Sequence, residues 1–167
     1  LSDNSITYGT PFAMAGAVNI TLDKNGDSTT FRADNTDYFK TASNNGYNGT
    51  LEMALITDEF KTKILGMNKD ANGVLVENKD DKISDFALGF IISGDSKKTK
   101  YWFLQVQAER PSVASSTTDT TISPITETLN ITASTRISDG EVKYSCEEGE
   151  SAYSSFFTSV YESPISR

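Results

Sequence analysis

The chain has no histidine and a single cysteine, Cys146, in 167 residues. Each absence removes a class of chemistry. Without histidine the usual serine hydrolase triad has no general base. With no histidine and one thiol, no zinc site of the common kind can form. A lone cysteine also closes no intrachain disulfide. Cys146 falls in an alternating stretch, 142–146, and reads as a strand thiol rather than a nucleophile. Positive charge is scarce: 15 Lys and Arg stand against 23 Asp and Glu, a formal net charge of -8. That balance argues against a tight grip on nucleic acid, which depends on cations neutralising phosphates. No apolar run approaches the ~20 residues that span a bilayer. The longest, 86–92 and 101–106, are strand-sized. No phosphate-cradling glycine loop or dinucleotide fingerprint occurs. The opening Leu1-Ser2-Asp3-Asn4-Ser5 shows no initiator Met, basic region or apolar signal core, and it leaves leader segments undecided.

What remains is a chain of one-domain length with enough apolar residues, 37%, to bury a core. Strand signals dominate. Val18, Ile20 and Leu22 alternate with Asn19 and Thr21, the two-residue period of a half-buried strand. Leu51, Met53 and Leu55 repeat it. Phe86, Leu88, Phe90 and Ile92 share a face whose reverse carries Ala87, Gly89 and Ile91, which predicts a strand covered on both sides. Trp102, Leu104, Val106 and Ala108 alternate with Phe103, Gln105, Gln107 and Glu109. Ile125, Leu129, Ile131 and Ala133 alternate with Thr126, Thr128, Asn130 and Thr132. Turns are expected at 94–98 and at Asp139-Gly140, and Pro111 and Pro124 bracket a Ser/Thr-rich loop or extended edge.

Two short helices are expected. Thr57 caps the first, Asp58 and Glu59 suit its positive end, and Gly66 ends it. The second is expected over 151–160, where Tyr153, Phe156, Phe157 and Val160 follow helical spacing and form a stripe for packing on a sheet. Between two strands lies Lys24–Gly46, a long segment with no clear period. Phe31, Tyr38 and Phe39 run through it, more aromatic residues than a solvated linker uses. It either folds back over its own core or reaches a neighbouring subunit.

Several motifs imitate chemical sites. The stretch 68–76 resembles the start of an EF-hand loop, but Lys79 stands where the closing Glu belongs and Asn68 is a neutral first ligand, so a plain turn is expected. The stretch 23–27 is a weaker imitation. Asp80-Asp81 and Glu147-Glu148 read as solvated charge rather than an acid–base pair. The sequons at Asn19, Asn48 and Asn130 read as chance. The expectation is therefore no catalytic, metal or cofactor residues, and no enzyme. A competing reading is a β-sandwich binding module for carbohydrate or protein, with Tyr101 and Trp102 as a sugar platform; Trp102 in the core is favoured over it. A carboxylate-dependent glycosidase ranks last, since no ordered pair of acids presents itself.

A collinear series of words then becomes informative: Tyr8-Gly9-Thr10-Pro11-Phe12, Gly16-Ala17-Val18-Asn19, Ala33-Asp34-Asn35, and 44–54, Asn-Asn-Gly-Tyr-Asn-Gly-Thr-Leu-Glu-Met-Ala. It continues with Thr57-Asp58-Glu59-Phe60, Ile64-Leu65-Gly66, 85–90, Arg110-Pro111-Ser112 and 122–129. Over most of its length the chain resembles the major tail proteins of siphophages of Gram-positive bacteria. The resemblance implies a mainly β fold, a β-sandwich or barrel of the phage tail-tube type with one or two short flanking helices. It implies a single tail-tube domain over 1–167, with a long inter-strand loop at about 24–46 and arms at the two termini, which the abrupt start and end of the chain leave open. Such subunits form hexameric rings that stack into a tube carrying DNA from capsid to host. The implied partners are other copies of the chain, a tape-measure protein and a tail terminator. DNA passes through without sequence-specific binding, and no membrane is involved. The implied location is the virion, after synthesis in the host cytoplasm. In this frame Phe31, Arg32, Asp34, Tyr38 and Phe39 become candidates for the inter-subunit interface, and an acidic lumen would let phosphates slide.

Overall fold

The computed structural model describes residues 6–26, 28–33, 36–92, 94–113 and 126–164. Among them the chain is mainly β. One curled antiparallel sheet carries β1 (Ala17–Lys24), β4 (Tyr47–Met53), β7 (Phe86–Ile91), β8 (Lys100–Ala108), β9 (Glu127–Ser134) and β10 (Lys143–Cys146). Two small sheets accompany it, β2 (Ser28–Ala33) with β3 (Thr36–Ala42), and β5 (Asn68–Lys69) with β6 (Leu75–Val76).

The main sheet runs β1-β4-β9-β8, and β8 has partners along both edges. One edge takes β7. The other is shared: β10 pairs with its first half, from Lys143 opposite Phe103 to Cys146 opposite Lys100. β9 pairs with its second half, from Gln105 opposite Ser134 to Ala108 opposite Ile131. The handover coincides with a bulge. Between the β7 pairs Phe86–Val106 and Leu88–Phe103, β8 spends one residue more than β7. An extra residue reverses which way the following side chains point.

That reversal corrects the sequence expectation for this strand. Trp102 and Leu104 were expected to share a face with Val106 and Ala108. Instead Trp102 and Leu104 pack with Cys146 and Phe156, while Val106 and Ala108 join Phe103 in the larger core. The larger core also takes Leu51 and Met53 of β4 and Leu129, Ile131 and Ala133 of β9, each of which alternates as expected.

The single described α-helix, α1 (Asp58–Lys63), closes this core with Phe60, and Ile64 and Leu65 follow just beyond its end. The Thr57 hydroxyl accepts from the Phe60 amide at 3.3 Å, and Asp58 and Glu59 sit in the first turn, the cap predicted from sequence. Gly66 follows at φ +77°, the left-handed conformation that ends helices.

Three further expectations are corrected. Val18 is 56% exposed rather than aligned with Ile20 and Leu22, because the β1–β4 register shifts between Ala17 and Asn19. Leu55 is exposed because β4 ends at Met53 and the chain turns, so that Ile56 is buried instead. The segment 151–160 is not an α-helix but a run of turns. Tyr153 N reaches Glu150 O at 3.0 Å and Thr158 N reaches Ser155 O at 2.9 Å, carbonyls three residues back rather than four. Five of its residues are Ser or Thr, which compete with a helical backbone for hydrogen bonds. The Phe156 carbonyl accepts instead from the Trp102 indole at 2.7 Å. The aromatic stripe still packs on the sheet, as expected.

Candidate functional site

The segment expected to be an aperiodic loop, 24–46, carries a β-hairpin. β1 pairs with β4 as far as Lys24 opposite Tyr47. Asn25 N then donates to Gly46 O, and Asn45 N to Asn25 O, both at 2.8 Å. β2 and β3 take up the pairing from Ser28 opposite Ala42. These bonds join the edge of the sheet and the hairpin into one antiparallel ribbon. Two glycines permit the junction: a Cβ on Gly26 would lie 2.0 Å from Ser43 O, and one on Gly46, which has φ +92°, would lie 1.9 Å from Ala133 O. At 3.3 Å per residue, β2 and β3 add roughly 20 Å to the ribbon.

The register brings four of the five proposed interface residues together in the backbone. Phe31 stands opposite Phe39 and Arg32 opposite Asp37, so that Tyr38 is the extra residue at the register shift. Asp34 lies outside the described residues.

A second surface went unremarked in the sequence. On the side of the main sheet away from the larger core, the register lines up Asp23, Asn48 and Thr132 with Gln107. Beside them run Thr21, Thr50 and Asn130, and Glu109 N donates to Asn130 O at 2.9 Å. Asn19, Glu52 and Thr128 form the next row. All are exposed or half-exposed. None is Lys or Arg, and Asp23, Glu52 and Glu109 carry carboxylates. Asp85 adds another, accepting from Gln105 and Gln107 at 2.7 Å each. The face is polar and carboxylate-bearing. Further along the same side, over β7, β8 and β10, the turns of 151–160 cover the sheet with Phe156 and Phe157, and Tyr161 follows just beyond them.

Arg136 is the third feature. Its side chain is 4% exposed and is surrounded by acids and phenols from four parts of the chain. Its Nε donates to Asp139 Oδ1 at 3.0 Å, and a second guanidinium nitrogen also meets Asp139. Another nitrogen donates to both Glu162 oxygens at 2.9 Å and to the Tyr8 hydroxyl at 3.4 Å. Tyr144 accepts at 3.2 Å and itself donates to Glu141, whose carboxylate lies 3.8 Å from the guanidinium. Hydrogen bonding to Arg136 holds the Asp139 carboxyl below its ordinary range and raises Arg136 itself. Burial, then the contact with Glu141, pushes Tyr144 up to about 12, and burial raises Tyr8. Nothing in the sequence singled out Arg136. Its three acids are near and far in the chain, and only the fold gathers them.

The motifs weighed in the sequence take structural places. Asp70 Oδ1 accepts from Asn72 N and Val74 N at 2.8 Å each, which closes the β5–β6 turn, with Gly73 at φ +85°. Trp102 is 4% exposed, so it offers no platform to a sugar. Cys146 is buried, and burial pushes its thiol up, which disfavours the nucleophilic thiolate. Among the described residues no group of three or more acids or thiols is placed to hold a metal ion, and no described helix is long and apolar enough to cross a membrane.

Comparison of the chain with protein-family models, with curated protein sequences and with solved structures finds no match.

Proposed function

We propose that the chain is a tail-tube subunit of a long-tailed bacteriophage. On this reading copies close into rings, probing their neighbours with the β2–β3 ribbon, and the rings stack into a conduit for DNA. The observation that carries the reading is the cation-free polar face of β1, β4, β9 and β8. A polyanion moving past it meets carboxylates, hydroxyls and amides and no Lys or Arg to hold its phosphates. The mainly β fold, the edges of β1 and β7 that have no strand partner among the described residues, and the sequence resemblance support the same reading. Unpaired strand edges gain hydrogen bonds when copies join. The mechanism is then physical: pairing and packing make the tube, and a weakly adhesive wall lets the cargo slide.

The test is electron microscopy of the concentrated full-length protein, with complete termini. Rings or hollow tubes are the expected result. A protein that stays monomeric at every concentration and ionic strength would remove the proposal. In an assembled tube, a lumen lined mainly by Lys and Arg would remove the account of sliding.

A further inference from the structure

The larger core is closed at one end and open at the other. At the end marked by Met53 and Phe86, α1 closes it, and Phe60 packs edge-on against Phe86 with ring centres 5.4 Å apart. At the other end of the same strands a row of rings crosses the sheet. Tyr101 stacks on Phe90 at 5.6 Å, Phe90 on Phe103 at 5.9 Å, and Tyr47 meets Phe103 edge-on at 5.2 Å. Phe103 is buried, but Tyr47, Phe90 and Tyr101 are only half-buried. Two lysines stand at the rim. Lys143, opposite Phe103, holds its ammonium 4.9 Å from the centre of the Tyr47 ring. Lys24 pairs with Tyr47 and, two residues past Leu22, shares its side of β1. Lys61, Lys63, Lys69, Lys97 and Lys98 each meet an acid. Lys24 and Lys143 form no ion pair among the described residues. In a chain of net charge -8, this end of the core is an aromatic surface rimmed by unneutralised cations.

The ribbon is rooted at this end, since Lys24–Tyr47 is the last pair of the β1–β4 ladder before it. The ladder runs on through Asn25, Asn45 and Gly46, which leads the hairpin outward from its own sheet. Among the described strands β2 and β3 pair only with each other, and a two-stranded hairpin alone is marginally stable in water. Its second strand carries Asp37, Tyr38 and Phe39, an acid beside two aromatic residues. That composition complements a row of rings edged by lysines. We propose that the row Tyr47, Phe103, Phe90, Tyr101 is the socket for the β2–β3 ribbon of a second copy, with Lys24 and Lys143 receiving its acid. The inference rests on the tail-tube reading and names where on a neighbour the ribbon lies. Docking completes the burial of the half-buried rings and gives the hairpin an apolar bed. The lysines fix its placement, because opposite charges across an interface orient partners more than they bind them. A ribbon of one copy in the socket of the next is a head-to-tail contact, the kind that closes into a ring when the rotation allows.

Sedimentation velocity and electron microscopy of the full-length protein test this by reversing charges. Tyr47→Ala is the obvious variant, but it removes packing from Phe103 and carries a risk of misfolding, so the charges decide. Lys143→Glu is expected to weaken assembly about tenfold at low salt, and Asp37→Lys to weaken it by as much. Lys24→Glu, on the other side of the rim, is expected to behave as Lys143→Glu does. The decisive sample is an equal mixture of the Lys143→Glu and Asp37→Lys proteins. In alternation, every ribbon then meets a socket of opposite charge, so the mixture is expected to assemble within about threefold of the parent although neither variant does so alone. Pairing of the ribbon with its own copy cannot produce that rescue. Assembly that is indifferent to the single variants, or a loss that mixing does not repair, overturns the socket and leaves the tube reading standing. A parent protein that never assembles overturns both.

Discussion

One side of the main sheet is built in two ways. Over β7, β8 and β10 it is roofed by the aromatic turns of 151–160, with Trp102 and Leu104 beneath them. Over β1, β4, β9 and the second half of β8 it is bare, and Thr, Asn, Gln and acids replace the aromatics. The boundary falls at the bulge in β8, where β10 gives way to β9. The roofed half shows what the chain does with a face it needs for stability. The bare half, equally regular, has no covering among the described residues.

The comparison breaks most visibly at the roofed half. Trp102→Ala removes a buried indole and leaves the Phe156 carbonyl without its donor, an expected loss of about 3–5 kcal/mol. Urea denaturation followed by circular dichroism reads it. A cost no larger than that of Gln107→Ala would mean that the roof contributes little. Next comes Gly89→Ala on β7. A Cβ there would sit 2.8 Å from the Trp102 ring, which is buried beneath the roof. The expected loss is about 1–3 kcal/mol, with a shift in tryptophan emission; unchanged emission would show that the ring has room. On the opposite face, Thr57→Ala removes the cap of α1 and should cost about 1 kcal/mol. The smallest effect on stability is expected on the bare half. Thr132→Lys should stay within about 0.5 kcal/mol of the parent in the same denaturation experiment. If tubes form, they should then retain DNA in a salt-dependent way, and equal retention by parent and variant would detach the bare face from the DNA path.

Much of the fold was legible because its signals are local. The Thr57 cap, the Gly66 stop and the alternation of β4 and β9 each depend on a few neighbouring residues, and Leu55 apart they stand as read over the described residues, outside which Ile125 lies. β8 was misread because its alternation continues unbroken from Trp102 to Ala108, while a bulge, which no residue type announces, turns the second half over. The turns of 151–160 were read as helix because aromatic spacing records which residues face the sheet, not which carbonyl each amide reaches. The aromatic residues of 24–46 drew notice without revealing a hairpin, since Phe31 opposite Phe39 is a matter of register. Arg136 was invisible for the plainest reason. Its partners Tyr8 and Glu162 come from opposite ends of the chain.

The continuity of the ribbon from β1 through β2, β3 and β4 bears on the order in which the molecule folds. Pairing Lys24 with Tyr47 closes a short loop once β2 and β3 have zipped, whereas pairing Glu52 with Thr128 must draw together parts of the chain separated by four of the ten described strands. The entropy of closure grows with loop length, so local pairs are made at lower cost. The ribbon is therefore expected to be the first part of the sheet to gain amide protection in pulse-labelled refolding, ahead of the β4–β9 ladder. Protection arriving in the reverse order would mean that the apolar core, and not the ribbon, is the template on which the sheet grows.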